Sequence, residues 1–163
     1  FNGHLHPIAA ETEMLPLRIG AHTLAGNVKN ILQSFGNNFN NRTEEALGSA
    51  LDLWTAYRER AYLDSPQPFL GYFFMLEDCP KSRCPVRVCE PHFKVFHEFV
   101  GASYCRRYEL FCRKLVLERH YTASAFITSS PGPGIRGDFT VPADDLSVER
   151  FAKVLAGHLS ACV

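Results

Sequence analysis

No stretch of this sequence is long enough and apolar enough to cross a membrane as a helix. Its longest apolar run, Phe69–Leu76, has eight residues, whereas a spanning helix needs roughly 18. Nor is there an excess of either charge, since the formal net charge of the 163 residues is +0. With 46% hydrophobic residues, the chain can bury a core and does not belong to the disordered, highly charged class. These figures predict one globular domain with no membrane partner.

The sequence also lacks the short motifs of several common catalytic sites. It contains no Gly-x-Ser-x-Gly turn of a serine hydrolase and no His-Glu-x-x-His of a zinc protease. The glycine- and proline-rich segment Pro131–Gly137 has no Gly-x-x-x-x-Gly-Lys pattern that would hold a phosphate. These absences argue against a serine hydrolase, a zinc protease and a P-loop nucleotidase.

The cysteines allow two interpretations. No charged and then apolar leader is present, so we expect a cytoplasmic protein whose thiols stay reduced. The run Cys79-x4-Cys84-x4-Cys89, followed by His92 and His97, allows a zinc site as an alternative. Its spacing is wider than the two-residue knuckle that surrounds a tetrahedral ion. We therefore favour small thiols packed beside strands.

Apolar spacing predicts alternating helices and strands. Asn41 followed by Glu44 resembles a capping box and predicts a helix up to about Ala61. Its predicted core stripe comprises Ala46, Leu47, Ala50, Leu51, Trp54, Tyr57 and Ala61. Further on, the pattern predicts a fully buried strand over residues 69–76 and a helix over residues 103–120 that Ser103 caps. A second strand follows over residues 123–128, and a last helix over residues 147–159. This order is typical of an α/β sheet covered by helices.

The predicted helix that follows Ser103 carries two rows of cations. Arg106 and Arg113 lie within about 20° of each other around the helix and roughly 10.5 Å apart along it, and Arg107 and Lys114 form a second such row. Residues 81–120 hold nine Lys and Arg against four Asp and Glu. Such rows can reach successive phosphates of a nucleic acid. They can equally form a solvated face paired with nearby glutamates, and the pattern leaves both readings open.

Several long strings of the sequence resemble the C-terminal part of XhoI-type restriction endonucleases. They are SFGNNFNNRTEEALGSALDLWTAYRE, FLGYFFMLEDC, EPHF, EFVGASYCRRYELFCRKLVLER and PADDLSVERFAKVLAGH, at residues 34–59, 69–79, 90–93, 98–119 and 142–158. On these strings, the resemblance is assigned to residues 34–163. The resemblance implies the restriction-endonuclease-like fold, a mixed α/β sheet flanked by helices. It also implies Mg²⁺-dependent hydrolysis of duplex DNA at the palindrome CTCGAG, a homodimer with one subunit for each half-site, and a partner methyltransferase that protects the same site.

The resemblance also suggests where DNA is contacted. Asn37, Asn38, Asn41 and Arg42 are expected in a polar loop directly after the catalytic strand, on the side of the fold that faces DNA. Asparagine also forms turns and caps helices through its own backbone contacts, and that reading is equally open. Glu45 is the one nearby carboxylate that could join a metal shell.

The catalytic residues implied by the resemblance are not found in this sequence. Family members carry a Glu-x-Lys element shortly before the Ser-Phe-Gly-Asn-Asn segment, but Gly26, Asn27 and Val28 stand there. Lys29, one position away, is a weak candidate, and no aspartate precedes Asp52. Because the resemblance stops abruptly at Ser34, we expect residues 1–33 to be a foreign or frame-shifted segment joined to an incomplete domain, residues 34–163, that does not cleave DNA.

Two other interpretations remain. The chain can be a non-catalytic module that binds DNA or forms a dimer, with the basic helix on the phosphates. It can also be a remnant that does not fold stably, because an incomplete sheet would expose the apolar edge of Phe69–Leu76.

Overall fold

The computed structural model describes residues 15–19, 22–31, 35–61, 66–88, 93–134 and 136–161. Of these, residues 15–19, 22–31, 35–38 and 133 are described by their backbone alone. No helix among the described residues is both long and apolar enough to cross a bilayer.

Four strands form one mixed sheet in the order β1-β2-β3-β4. They are β1 (Leu15–Ile19), β2 (His22–Ile31), β3 (Phe69–Glu77) and β4 (Ala123–Ser129). β1 runs antiparallel to β2, whereas β2, β3 and β4 run parallel to one another. Nearly every residue of β3 is buried, as expected for a strand covered on both faces. The predicted mixed α/β sheet is confirmed.

Helices cover both faces of this sheet. They are α1 (Phe35–Arg58), α2 (Pro80–Arg83), α3 (Tyr104–Leu117), α4 (Pro131–Gly134) and α5 (Val148–Ala161). Short 3₁₀ turns occupy His97–Phe99 and Asp144–Leu146. α1 and α3 pack on one face of β3 and β4, and α5 packs on the other.

The core on the α1 and α3 face is built from aromatic rings. Phe74 of β3 stacks on Tyr108 of α3 with ring centroids 4.2 Å apart. Tyr72 lies edge-on to Phe111 of α3 at 5.9 Å, and its neighbours Leu70 and Leu76 are fully buried. Such ring pairs stabilise a core more than the burial of their apolar area alone would.

Apolar spacing also predicts a core stripe of Tyr104, Tyr108, Phe111, Cys112 and Leu115 on the helix that follows Ser103, and all of these except the half-buried Tyr104 are buried. The Ser103 side chain accepts a hydrogen bond from the backbone N–H of Arg106 at 3.2 Å. β4 and α5 also lie within a residue or two of their predicted bounds.

α1 begins earlier than predicted. It begins at Phe35 instead of Asn41, so the predicted polar loop over the asparagines is wrong. Phe39 explains the difference, because its ring packs edge-on against Tyr108 at 5.0 Å and Phe111 at 6.4 Å. Burial of this ring against α3 outweighs the low helix propensity of the surrounding Asn and Gly residues.

The predicted core stripe of α1 is only partly correct. Ala46 and Ala50 are fully buried, but Leu47 and Leu51 are 37% and 62% exposed. Leu53, which was not in the predicted stripe, is buried instead. α1 therefore has a second apolar stripe that faces away from the sheet.

Gly71 in β3 provides the close approach between the sheet and α5. A Cβ at this position would lie 2.6 Å from Cζ of Phe151 and 3.0 Å from Cε1 of Phe69. The two rings themselves pack edge-on at 5.8 Å. A larger residue at position 71 would have to displace one of them.

We predict that Gly71→Ala lowers the free energy of unfolding by about 1–3 kcal/mol, the usual cost of overpacking. Gly157→Ala is the matched control, because a Cβ there meets nothing within 4 Å. That change should raise stability by about 0.4–1 kcal/mol in a helix. Urea unfolding measures both, and equal effects of the two substitutions would contradict this packing.

Candidate nucleic-acid interface

The carboxyl ends of the three parallel strands lie along one edge of the sheet, here called the carboxyl edge. β2 ends at Ile31, which pairs with Leu76 of β3, and Glu77 pairs with Ser129 of β4. α1 begins a few residues after β2, and α2 begins directly after β3. Ligands of open α/β sheets bind preferentially outside this edge.

Two acidic residues close β3 at the carboxyl edge. Glu77 is buried. The backbone N–H of Asp78 donates to the carbonyl of Ser129 at 2.8 Å, which joins the ends of β3 and β4. The Asp78 carboxylate accepts from Nε of Arg83 at 2.5 Å and pairs also with Nη2 of that arginine.

The residues predicted to contact DNA after β2 lie in the first turns of α1. Asn37 and Asn38 belong to its first turn, and Asn41 is exposed one turn later. The Arg42 side chain is only 14% exposed, and its Nη1 donates to Oε2 of Glu45 at 2.6 Å. Arg42 is therefore largely buried within the fold, whereas Asn41 faces solvent.

The arginines of α3 are paired with acidic side chains of the same chain. Arg106 binds Glu109 at 2.5 Å. Arg113 pairs with the same glutamate and binds both carboxylate oxygens of Asp145, through Nε at 2.6 Å and Nη2 at 2.8 Å. The structure thus brings Arg106 and Arg113 together around one glutamate.

The second row of cations on α3 is engaged as well. Nζ of Lys114 binds the Glu98 carboxylate at 3.0 Å and lies 5.6 Å from the Phe96 ring centre. The guanidinium of Arg107 lies 5.9 Å from the Tyr104 ring centre. Glutamates are thus partners of Arg106, Arg113 and Lys114, as the solvated-face reading expects, whereas half-buried Arg107 contacts an aromatic ring.

A comparison with known protein families shows to which family this chain belongs. The family model described as restriction endonuclease XhoI matches residues 3–141. The chain belongs to the XhoI restriction endonuclease family.

Individual members of the family are similar to this chain over shorter stretches. Type II restriction enzyme BstVI of Geobacillus stearothermophilus is 55% identical over 127 residues, which are 78% of this chain and 57% of BstVI. Type II restriction enzyme XhoI of Xanthomonas vasicola is 58% identical over 85 residues, 52% of this chain and 34% of that enzyme. The chain therefore spans only part of the length of these relatives, 57% of BstVI and 34% of XhoI. No solved structure matches it significantly.

The family match does not begin at Ser34, as the sequence resemblance led us to expect. It begins at residue 3, and β1 and β2, which precede Ser34, are part of the same sheet as β3. A separation of residues 1–33 from the family is thus not supported.

The described residues do not fit the Mg²⁺ site that the family resemblance implies. They contain no group of three or more His, Cys, Asp or Glu side chains placed to hold a metal ion. Arg83 engages Asp78, and Arg42 engages Glu45. Lys29 lies in β2 with its Cα opposite that of Phe74.

The thiols within the described residues are free. Cys79, Cys84, Cys105 and Cys112 form no disulfide. Burial raises the pKa of the Cys112 thiol to about 12, so it remains protonated and packs as a small apolar group. Cys89 and His92 of the alternative zinc site lie outside the described residues.

Sequence reasoning did not single out two exposed cations that lie between α2 and α3. Arg87 and Lys94, in the connection between α2 and α3, are exposed, and no acidic partner for either is found in the described part of the chain. This connection begins near the carboxyl edge, and the backbone N–H of Val86 donates to the carbonyl of Ala102 just before α3. The sequence signal was the excess of cations over acids among residues 81–94.

We predict that Asp145→Asn lowers stability near neutral pH by roughly 0.2–1 kcal/mol, the value of a partly exposed ion pair. Hydrogen bonds from Arg113 hold the pKa of the Asp145 carboxyl below its usual range. A carboxyl whose pKa is lower in the folded than in the unfolded protein stabilises the fold at pH values above its unfolded pKa, which is near 3.9. This stabilisation is lost as the pH falls through the pKa of the folded protein. The difference between the two proteins should therefore shrink from pH 7 to pH 3.

Urea unfolding at several pH values measures this difference. Asp138→Asn is the control, because Asp138 is 62% exposed and lies 3.5 Å from Arg136. A deficit of Asp145→Asn that stays constant with pH would contradict the assignment.

Proposed function

We propose that this chain is part of a type II restriction endonuclease whose complete form hydrolyses both strands of duplex DNA at CTCGAG with Mg²⁺. The complete enzyme acts in the cytoplasm as a homodimer, and a methyltransferase protects the same sequence in the host genome. The chain as it stands binds duplex DNA at the carboxyl edge and does not cut it.

The observation that carries this proposal is the family match over residues 3–141, with relatives that are named type II restriction enzymes. The mixed sheet supports it, because the strand that precedes α1 and the two strands parallel to it present a common edge. A palindromic target is read naturally by two copies related by a two-fold axis.

Three features of the chain support binding without cleavage. Hydrolysis in such a site needs carboxylates that place a metal ion against the scissile phosphate. Gly26, Asn27 and Val28 provide none in β2, and the described residues hold no metal-ligating group of three. The carboxylate of Glu45, the candidate metal ligand on α1, accepts from Arg42.

The DNA-facing surface in this proposal is the beginning of α1 together with the connection after β3. Exposed Asn41 provides an amide of the type that pairs with adenine edges, with Asn37 and Asn38 one turn before it. Arg87 and Lys94 provide exposed charge for phosphates. Arg42 pairs with Glu45 of the same helix, and Arg106 and Arg113 pair with acidic side chains of the same chain.

We predict that the chain binds a duplex containing CTCGAG more tightly than a duplex of the same composition with the six bases scrambled. Fluorescence anisotropy in EDTA measures this binding. Incubation of a plasmid bearing one CTCGAG site with Mg²⁺ should leave it uncut. Linear plasmid would overturn the statement that the chain does not cleave, and equal binding to both duplexes would overturn site-specific recognition.

The second candidate is a non-catalytic module that binds DNA or joins copies without reading sequence. The exposed cations after β3 and the outward apolar stripe of α1 favour it. Equal affinity for both duplexes, with a steep loss of binding as salt is added, would identify this module.

A further inference from the structure

The outer face of α1 carries a continuous stripe that the fold does not cover. Leu47 and Leu51 are 37% and 62% exposed on it, and Gly48, Thr55 and Arg58 are exposed beside them. A groove of about 510 Å³ runs along this stripe and reaches Arg119 and His120 after α3. Exposed leucines at helical spacing mark a surface that packs against another helix.

The groove has a fixed aromatic wall. Trp54 is half-buried, and its indole N–H donates to the carbonyl of His120 at 2.8 Å. Nearly two helical turns earlier, Gly48 offers open space, because a Cβ there meets nothing within 4 Å. A large side chain of one helix and a missing side chain on another can therefore fit together across this surface.

The stripe is complementary to itself when two copies of α1 run antiparallel. With Leu51 opposite Leu51 of a second copy, each position after 51 faces the position equally far before 51. Trp54 then faces Gly48, and Arg58 faces Glu44. In this arrangement the large Trp54 side chain lies opposite the open space at Gly48, and the positive charge of Arg58 lies opposite the negative charge of Glu44. The contact extends over roughly 21 Å of helix.

The charged ends of the stripe are available for this contact. Glu44 and Arg58 are both exposed. Glu44 has no charged partner among the described residues, and Arg58 donates to the Thr55 hydroxyl at 3.0 Å without an acidic partner in that part of the chain. A parallel pair would instead place Glu44 against Glu44 and Arg58 against Arg58, which is unfavourable.

We infer that a second copy of this chain docks on the outer face of α1, as an antiparallel helix pair with its two-fold axis at Leu51. The two carboxyl edges then point to opposite ends of the pair, because α1 begins at that edge in each copy. This contact is separate from the pairing that one palindrome requires. It does not depend on DNA binding, and it leaves the proposed DNA-facing surface open.

Sedimentation velocity of the full chain over a range of concentrations tests the contact. In the absence of DNA we expect a monomer–dimer equilibrium, and Leu51→Glu should weaken it at least tenfold, because two glutamates would meet at the axis. A monomer at every concentration, or a dimer that Leu51→Glu leaves unchanged, would overturn the inference. Circular dichroism confirms that the exposed substitution leaves the helix content unchanged.

Charge reversal tests the antiparallel register itself. Glu44→Arg and Arg58→Glu should each weaken the dimer several-fold, and the double variant should restore it, since the pair is then reversed and complementary again. Asp52→Arg is the matched control, because Asp52 is exposed on another side of α1 and should have little effect. Failure of the double variant to restore the dimer, or an equal loss with Asp52→Arg, would overturn the register.

The fluorescence of Trp54 provides an independent readout, since it is the one tryptophan of the chain. Its emission should shift to the blue as the concentration rises through the dimer range, and Leu51→Glu should abolish this shift. A dimer that forms without a change in Trp54 emission would place the contact elsewhere and overturn the inference.

Discussion

The stack of Phe74 on Tyr108 is the contact on which the arrangement of this domain depends. It fixes α3 against β3 with ring centroids 4.2 Å apart. Phe39 of α1 packs edge-on against Tyr108 with ring centroids 5.0 Å apart. This contact of Phe39 determines where α1 begins. Because α1 follows β2 after a short connection, the same contact places the asparagines of its first turns at the carboxyl edge. The position of the proposed DNA-facing surface is therefore a consequence of core packing.

Much of this fold could be predicted from the spacing of apolar residues. Tyr108, Phe111, Cys112 and Leu115 define the buried side of α3 unambiguously, and the uninterrupted apolar run of β3 requires cover on both faces. α1 was harder, because Ala46, Leu47, Ala50 and Leu51 fit one broad stripe of a helical wheel. The sequence does not reveal that the small alanines face the sheet while the leucines face away. Nor does it reveal that Phe39, among helix-weak asparagines, extends the helix through a contact with a residue far along the chain.

The cations illustrate a second limit of sequence reasoning. Helical spacing placed Arg106 and Arg113 in one row, but the same spacing puts Glu109 within reach of both. Asp145, which binds Arg113 through both oxygens, comes from a distant segment and could not be foreseen. Arg87 and Lys94, two exposed cations without an acidic partner in the described part of the chain, lie after β3, where no periodic pattern draws attention to them. Family resemblance correctly indicated the restriction endonuclease family, whereas the expected absence of its Glu-x-Lys element from this chain stays a prediction.

The salt dependence of DNA binding tests most directly whether these unpaired cations carry the phosphate contacts. The logarithm of affinity falls with the logarithm of salt concentration with a slope of about −0.9 per phosphate neutralised. Arg87→Gln combined with Lys94→Gln should make this slope shallower by about 2, whereas Arg106→Gln combined with Lys114→Gln should change it little. The reverse result, a shallower slope only when the α3 cations are removed, would contradict the assignment of phosphate contacts to Arg87 and Lys94.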